Sequence, residues 1–165
     1  MKFLHCSAGE PGSLHDARVF RRSEFAREVK QSMFPCNSHI VGDAAYPNKG
    51  YLITPFKNNG HLTAKHLLFN ARQSRARVVI ERAFGLLKSR FRRLIYMETR
   101  RLDIAATLIV CAYVLHNACL CWGDNYSGIV YQLDEMESEG EALLEDDARQ
   151  REAGVQKRDS IMNSL

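Results

Sequence analysis

Between residues 75 and 94, apolar positions fall on one stripe: Ile80, Ala83, Phe84, Leu87, Phe91 and Leu94. Steps of three and four residues put them on a common helical face. The opposite ridge reads Arg77, Glu81, Gly85, Lys88 and Arg92. The helical pattern reaches back to Thr63, placed to cap the first turn, and forward to about Arg93. A second helix is predicted from Asp103 to about Trp122. It is apolar nearly all round, so burial is expected for it and for its thiols Cys111, Cys119 and Cys121. Upstream the pattern is shorter and mixed. Residues 3–7, 39–41 and 51–54 read as short strands, the last stopped by Pro55. Residues 16–20 and 23–31 read as short helices, with Ser23 as N-cap. Glycines, proline and asparagines make loops of residues 9–13 and 57–62. The sum is α/β, with a few strands first and a helix-rich second half.

From residue 125 the pattern changes. Helix formers continue, but the apolar stripe thins and acids accumulate, so residues 125–165 are expected to form a flexible or loosely helical tail beyond a domain at 1–124. Charge sharpens that boundary. Residues 1–124 hold 19 Lys/Arg and 9 Asp/Glu, whereas residues 125–165 hold 4 and 10. Ten of the cations lie between Arg72 and Arg101, against Glu81 and Glu98 alone. A basic block joined to an acidic tail suits a polyanion as partner. No segment is expected to supply the roughly 18 apolar residues that span a membrane. The five cysteines form no C-x-x-C pair and no regular framework, which points to a reducing, intracellular compartment and away from a zinc site.

Two carboxylates stand out chemically. Asp43, in GDAAYP, follows an apolar strand, where open α/β sheets commonly place active-site groups. An aspartate in a turn also commonly binds its own backbone, and that reading stays open. Glu81 sits among cations, and Arg77 and Lys88 would serve as its ion-pair partners. Ion pairing leaves Gly85 unexplained, since glycine inside a helix costs about 1 kcal/mol relative to alanine. Either a phosphate backbone passes close to that turn, held by Arg77, Lys88 and Arg92, or another helix packs there. Carboxylates from two elements among cations suit a hard divalent ion engaged in phosphodiester chemistry.

Four blocks carry a resemblance: PGSLHDARVFRRSEF, GDAAYPNKGYLITPFKNNGHLT, FNARQSRARVVIERAFGLLKSRFRRL and CAYVLHNAC. In this order they resemble the DDE endonuclease domain of PIF/Harbinger-type transposases and the Harbinger-derived nucleases, over residues 3–121. The resemblance implies a ribonuclease H-like mixed sheet with helices. It also implies Mg²⁺ or Mn²⁺ held by two aspartates and a glutamate, and cleavage of DNA phosphodiesters. The family's second aspartate falls on Asp43 and its glutamate on Glu81, with 37 residues between them. Its first aspartate belongs to a strand ahead of the PGS block and matches no residue here, so an N-terminally truncated domain is expected. Asp16 belongs to a separate motif and is given a positioning role. His116 and Asn117 are expected to be hydrogen-bonded core groups. Arg77, Lys88 and Arg92 would hold DNA. A Myb-like partner protein and a nuclear location, with the cytoplasm as a second one, are implied in the same way, and neither a membrane nor a small-molecule substrate is. A different class stays open: a domesticated, non-catalytic DNA-binding or adaptor protein that retains the fold.

Overall fold

The computed structural model describes residues 1–124, 126 and 148–165. In chain order the elements are α1 (Asp16–Arg22), α2 (Glu24–Glu28), β1 (Ile40–Val41), β2 (Leu52–Ile53), α3 (Ala64–Arg90), α4 (Leu102–Cys121) and α5 (Ala148–Asn163). The class is α/β and helix-rich, as the pattern predicts. Two compact units share the chain, Met1–Pro11 with Val78–Met136 and Gly12–Arg77 with Glu137–Leu165. Helix α3 contributes its first half to the second of these and its last residues to the first.

The unit around residues 12–77 is built on a small parallel sheet. Ile40 pairs with Leu52 and Val41 with Ile53. Tyr51, Leu52, Ile53 and Phe69 form the apolar centre. Polar side chains of α3 finish β2. The Asn70 amide accepts from Phe56 N and donates to Phe56 O, both at 2.9 Å, and Gln73 Nε2 donates to Ile53 O at 2.7 Å. Strands this short leave backbone groups without ladder partners, and these two side chains supply them. The caps fall where the sequence puts them. Ser23 Oγ accepts from Ala26 N at the start of α2. Thr63 Oγ1 accepts from His66 N while His66 Nδ1 accepts from Thr63 N, a reciprocal cap on α3.

The other unit packs the last turns of α3 and the inner face of α4 around the N-terminal segment. Phe3 lies edge-on to Tyr113 at 4.4 Å and tilted against Phe84 at 5.6 Å. The strand expected over residues 3–7 does not form. Its reason is visible at Phe3, whose N–H donates to Asn117 Oδ1 and whose carbonyl accepts from Asn117 Nδ2. A side-chain amide replaces a neighbouring strand. His116 is 1% exposed, with Nε2 3.3 Å from Met1 O, so both residues of the His-Asn pair are hydrogen-bonded packing groups, as expected.

The expected burial of α4 is corrected. Ala112 and His116 are its buried residues, whereas Val114 is 61% exposed, and Leu102, Ile104, Leu108, Val110 and Leu115 are also exposed. Cys111 and Cys121 are exposed and Cys119 is half-buried. Periodicity told which residues are apolar but not how many neighbours the helix would find. The membrane expectation changes too: by length and composition, with a mean hydropathy of 1.9, Leu102–Cys121 passes for a span. Its His116 and Asn117 are nevertheless engaged with the N-terminal segment.

The C-terminal end is described in part. Residues 127–147, which hold eight of the acids, lie outside the described residues. Residues Ala148–Asn163 form α5, a helix with Gly154 and Lys157 buried, so this part of the expected flexible or loosely helical tail is helical. Its contacts are with β2 and its surroundings, and its own cations supply the polar anchors.

Candidate functional site

Asp43 follows Gly42 at the C-terminal end of β1. Its Oδ1 accepts from Ala45 N at 2.7 Å, and its carbonyl accepts from Tyr46 N at 3.1 Å. This is the self-bonded turn that an aspartate before a loop favours. Its Oδ2 is turned the other way, 3.5 Å from Arg77 Nη2. The two side chains are 28% and 32% exposed, so the pair is partly wet and its attraction partly screened. Asp43 therefore makes the turn expected of it with one oxygen, and presents the other to a cation.

Tyr46 belongs to the same neighbourhood. Burial pushes its phenol upward, the charges of Asp16 and Asp43 push it further, and Arg77 pulls it back. Phe20 of α1 packs edge-on to the Tyr46 ring at 5.7 Å. Asp16, the first residue of α1, is thus brought into the electrostatic surroundings of the Asp43 turn. The GDAAYP motif by itself assigns Tyr46 no task. The available signal was its place in the turn, three residues after Asp43.

The ridge on α3 is less open than its pattern suggests. Arg77 reaches to Asp43. Glu81 is half-buried, and it belongs to the other compact unit. Gly85 is buried, so the open approach expected beside Glu81 is not present at that turn. Helix α3 ends at Arg90, and Phe91 leaves helical geometry at φ −116°, ψ 75°. Arg92 thereby starts a separate 3₁₀ turn, exposed and off the helical ridge. Lys88 lines a groove of about 340 Å³ with Phe84, Leu87, Leu94, Met97, Ile109 and Tyr113. In that groove burial pushes the Tyr113 phenol up to about 12, with the Cys6 charge adding to the shift. The cationic ridge of the helical wheel is therefore divided among an ion pair, an apolar groove and an exposed turn.

The family model for the DDE superfamily endonuclease matches residues 1–117. The chain belongs to the DDE superfamily endonucleases. That is the resemblance carried by the four sequence blocks. A protein of Arabidopsis thaliana named protein ALP1-like is 30% identical over 132 residues, covering 71% of this chain and 32% of that protein. The chain thus spans about a third of the length of the curated relative it matches. No solved structure matches it.

For a DDE superfamily endonuclease the next question is what could hold a metal. Carboxylate oxygens are the right chemistry for a hard cation. Among the described residues, however, no group of three or more His, Cys, Asp or Glu side chains is gathered to hold one. Asp43 has one oxygen bound within its turn and the other facing a guanidinium. The described residues by themselves do not make a metal cage.

Proposed function

We propose that this chain is part of a transposase-derived DNA endonuclease dependent on a divalent metal, Mg²⁺ or Mn²⁺, in which Asp43 and Glu81 are metal-ligating catalytic carboxylates. The observation that carries the reading is the Asp43 turn. It places a carboxylate at a strand end, with one oxygen directed away from its own backbone, in a chain of the DDE superfamily endonucleases. The finer fold in this reading is a ribonuclease H-like mixed sheet. The substrate is DNA, with Arg77, Lys88 and Arg92 as backbone contacts and Arg77 shared between Asp43 and phosphate. A nuclear location and a Myb-like DNA-binding partner belong to the same proposal.

A specific observation favours a second reading, a non-catalytic DNA-binding or adaptor protein retaining the fold. The described residues gather no three-donor cluster, and hard cations give up their water reluctantly for fewer ligands. One pair of measurements separates the readings. Mn²⁺ titration of the 165-residue chain should show weak binding that is lost in Asp43→Asn and in Glu81→Gln. Supercoiled plasmid should be nicked slowly in Mn²⁺ by the chain and not by Glu81→Gln. Mn²⁺ binding untouched by both substitutions overturns the ligand assignment. DNA binding without any nicking selects the second reading.

A further inference from the structure

Helix α5 lies beyond the residues that match the endonuclease family, which end at residue 117. Its seat is specific. Gly154 is buried against the backbone that follows the Asp43 turn. A Cβ at that position would lie 2.8 Å from both Lys49 Cα and Lys49 N, and 2.9 Å from Asn48 C. Backbone atoms cannot rotate out of the way as a side-chain tip can, so only glycine permits this approach.

Two cations about one helical turn after Gly154 fasten the helix. Lys157 is buried, and its Nζ donates to Ser38 O at 2.9 Å, two residues before β1. Arg158 lies with its guanidinium 4.0 Å from the centroid of the Phe56 ring, and its Nη1 stands 3.5 Å from the carbonyls of Thr54 and Pro55. Phe56 is in turn pinned to α3 through Asn70. The three grips fall before β1, after the Asp43 turn and after β2. They enclose the stretch from residue 38 to residue 56, with Asp43 inside it. A buried lysine held by one carbonyl is costly to desolvate, and burial indeed pulls its ammonium below the usual lysine range. A general hydrophobic contact would not need such a residue.

We propose that α5 is a clamp that fixes the Asp43 turn, with Gly154 as its point of closest approach and Lys157 and Arg158 as its anchors. These three are positioning residues, since none touches Asp43. The functional consequence rests on Asp43 being a metal ligand, but the clamp itself does not.

Hydrogen exchange on the full 165-residue chain tests it. Four amides report on the clamped stretch: Ile40 and Gly42, bonded to Tyr51 O and Ile53 O, and Ala45 and Thr54, bonded to the Asp43 and Asn48 side chains. In Gly154→Leu they should exchange about tenfold faster or more, as a local opening requires. Ser23 and Val29 amides in the same unit, and Phe91 and Trp122 amides in the other, should keep their protection. Lys157→Met should repeat the effect and Lys157→Arg should reverse most of it, which keeps the test decisive if the leucine variant fails to fold. Unchanged exchange at the four amides in Lys157→Met overturns the clamp, as does an equal loss across both units. Mn²⁺ titration of the same variants separates the two layers. Loosened amides with unaltered Mn²⁺ affinity uphold the clamp and overturn Asp43 as a ligand.

Discussion

His116 shows what a single side chain decides here. It is 1% exposed, its Nε2 faces Met1 O, and its Nδ1 is buried with no partner among the described residues. Burial lowers its pKa from the ordinary histidine value, with the nearby Arg90 and N-terminal charges lowering it further and the Met1 contact opposing them. The folded state therefore binds the proton less readily than the unfolded state. The resulting stability is present above the unfolded pKa near 6.5 and is lost as pH falls through the folded value. The urea midpoint should drop between pH 7.5 and pH 5, and the drop should be smaller in His116→Gln. An equal pH dependence in the two proteins would mean that His116 titrates freely in the folded chain. Asp43 is a second residue-scale lesson. GDAAYP offered a turn aspartate or an active-site aspartate; the structure shows the turn bond at one oxygen and an arginine facing the other.

At the scale of elements, α3 and α4 contrast. Both were legible as helices, and both run close to their expected bounds. What they bury was not legible. The stripe on α3 was read from spacing, yet Ile80 is 42% exposed while Gly85 and Ser89, off that stripe, are buried. A long helix that changes surroundings along its length does not keep one inner face. Gly85 is the point to test. Ser89 Oγ donates to its carbonyl at 2.7 Å, and the neighbouring alternate positions Ala83 and Leu87 are buried as well. A methyl added at a buried position costs about 1–3 kcal/mol by overpacking. That exceeds the gain of up to about 1 kcal/mol in helix propensity. Gly85→Ala should therefore lower stability in a urea melt. A clear gain would restore the open, phosphate-facing explanation for this glycine.

For the whole molecule the governing feature is charge. The chain carries +4 in total, but this hides a basic first part and an acidic segment after residue 125. DNA affinity in such a protein is dominated by counterion release, at roughly 0.9 of a log unit per phosphate neutralised. Of the three proposed backbone contacts, Arg77 is held by Asp43 and Lys88 lies in an apolar groove, which leaves the exposed Arg92, with its exposed neighbour Arg93, to serve at that end of α3. Fluorescence titrations of duplex DNA at several salt concentrations should give a shallow slope, on the order of −2 to −3 in log K against log salt. The affinity should show no preference for sequence, because no readout motif of the helix-turn-helix or zinc-finger kind is present in the sequence. Salt-insensitive binding, or none at low salt, would remove DNA from the proposal.

The sequence alone determined helices α1 to α4, the caps at Ser23 and Thr63, the two short strands and the family, because these depend on local spacing, on side chains bonding their own backbone, and on motif order. Tertiary structure alone decided which apolar faces find partners, why residues 3–7 need no neighbouring strand, where Arg77 turns, and that α5 seats through Gly154 on Lys49. Those outcomes depend on contacts between residues tens to more than a hundred positions apart. Periodicity carries no record of such distances, since a hydrophobic stripe states what would gain from burial and not what arrives to bury it.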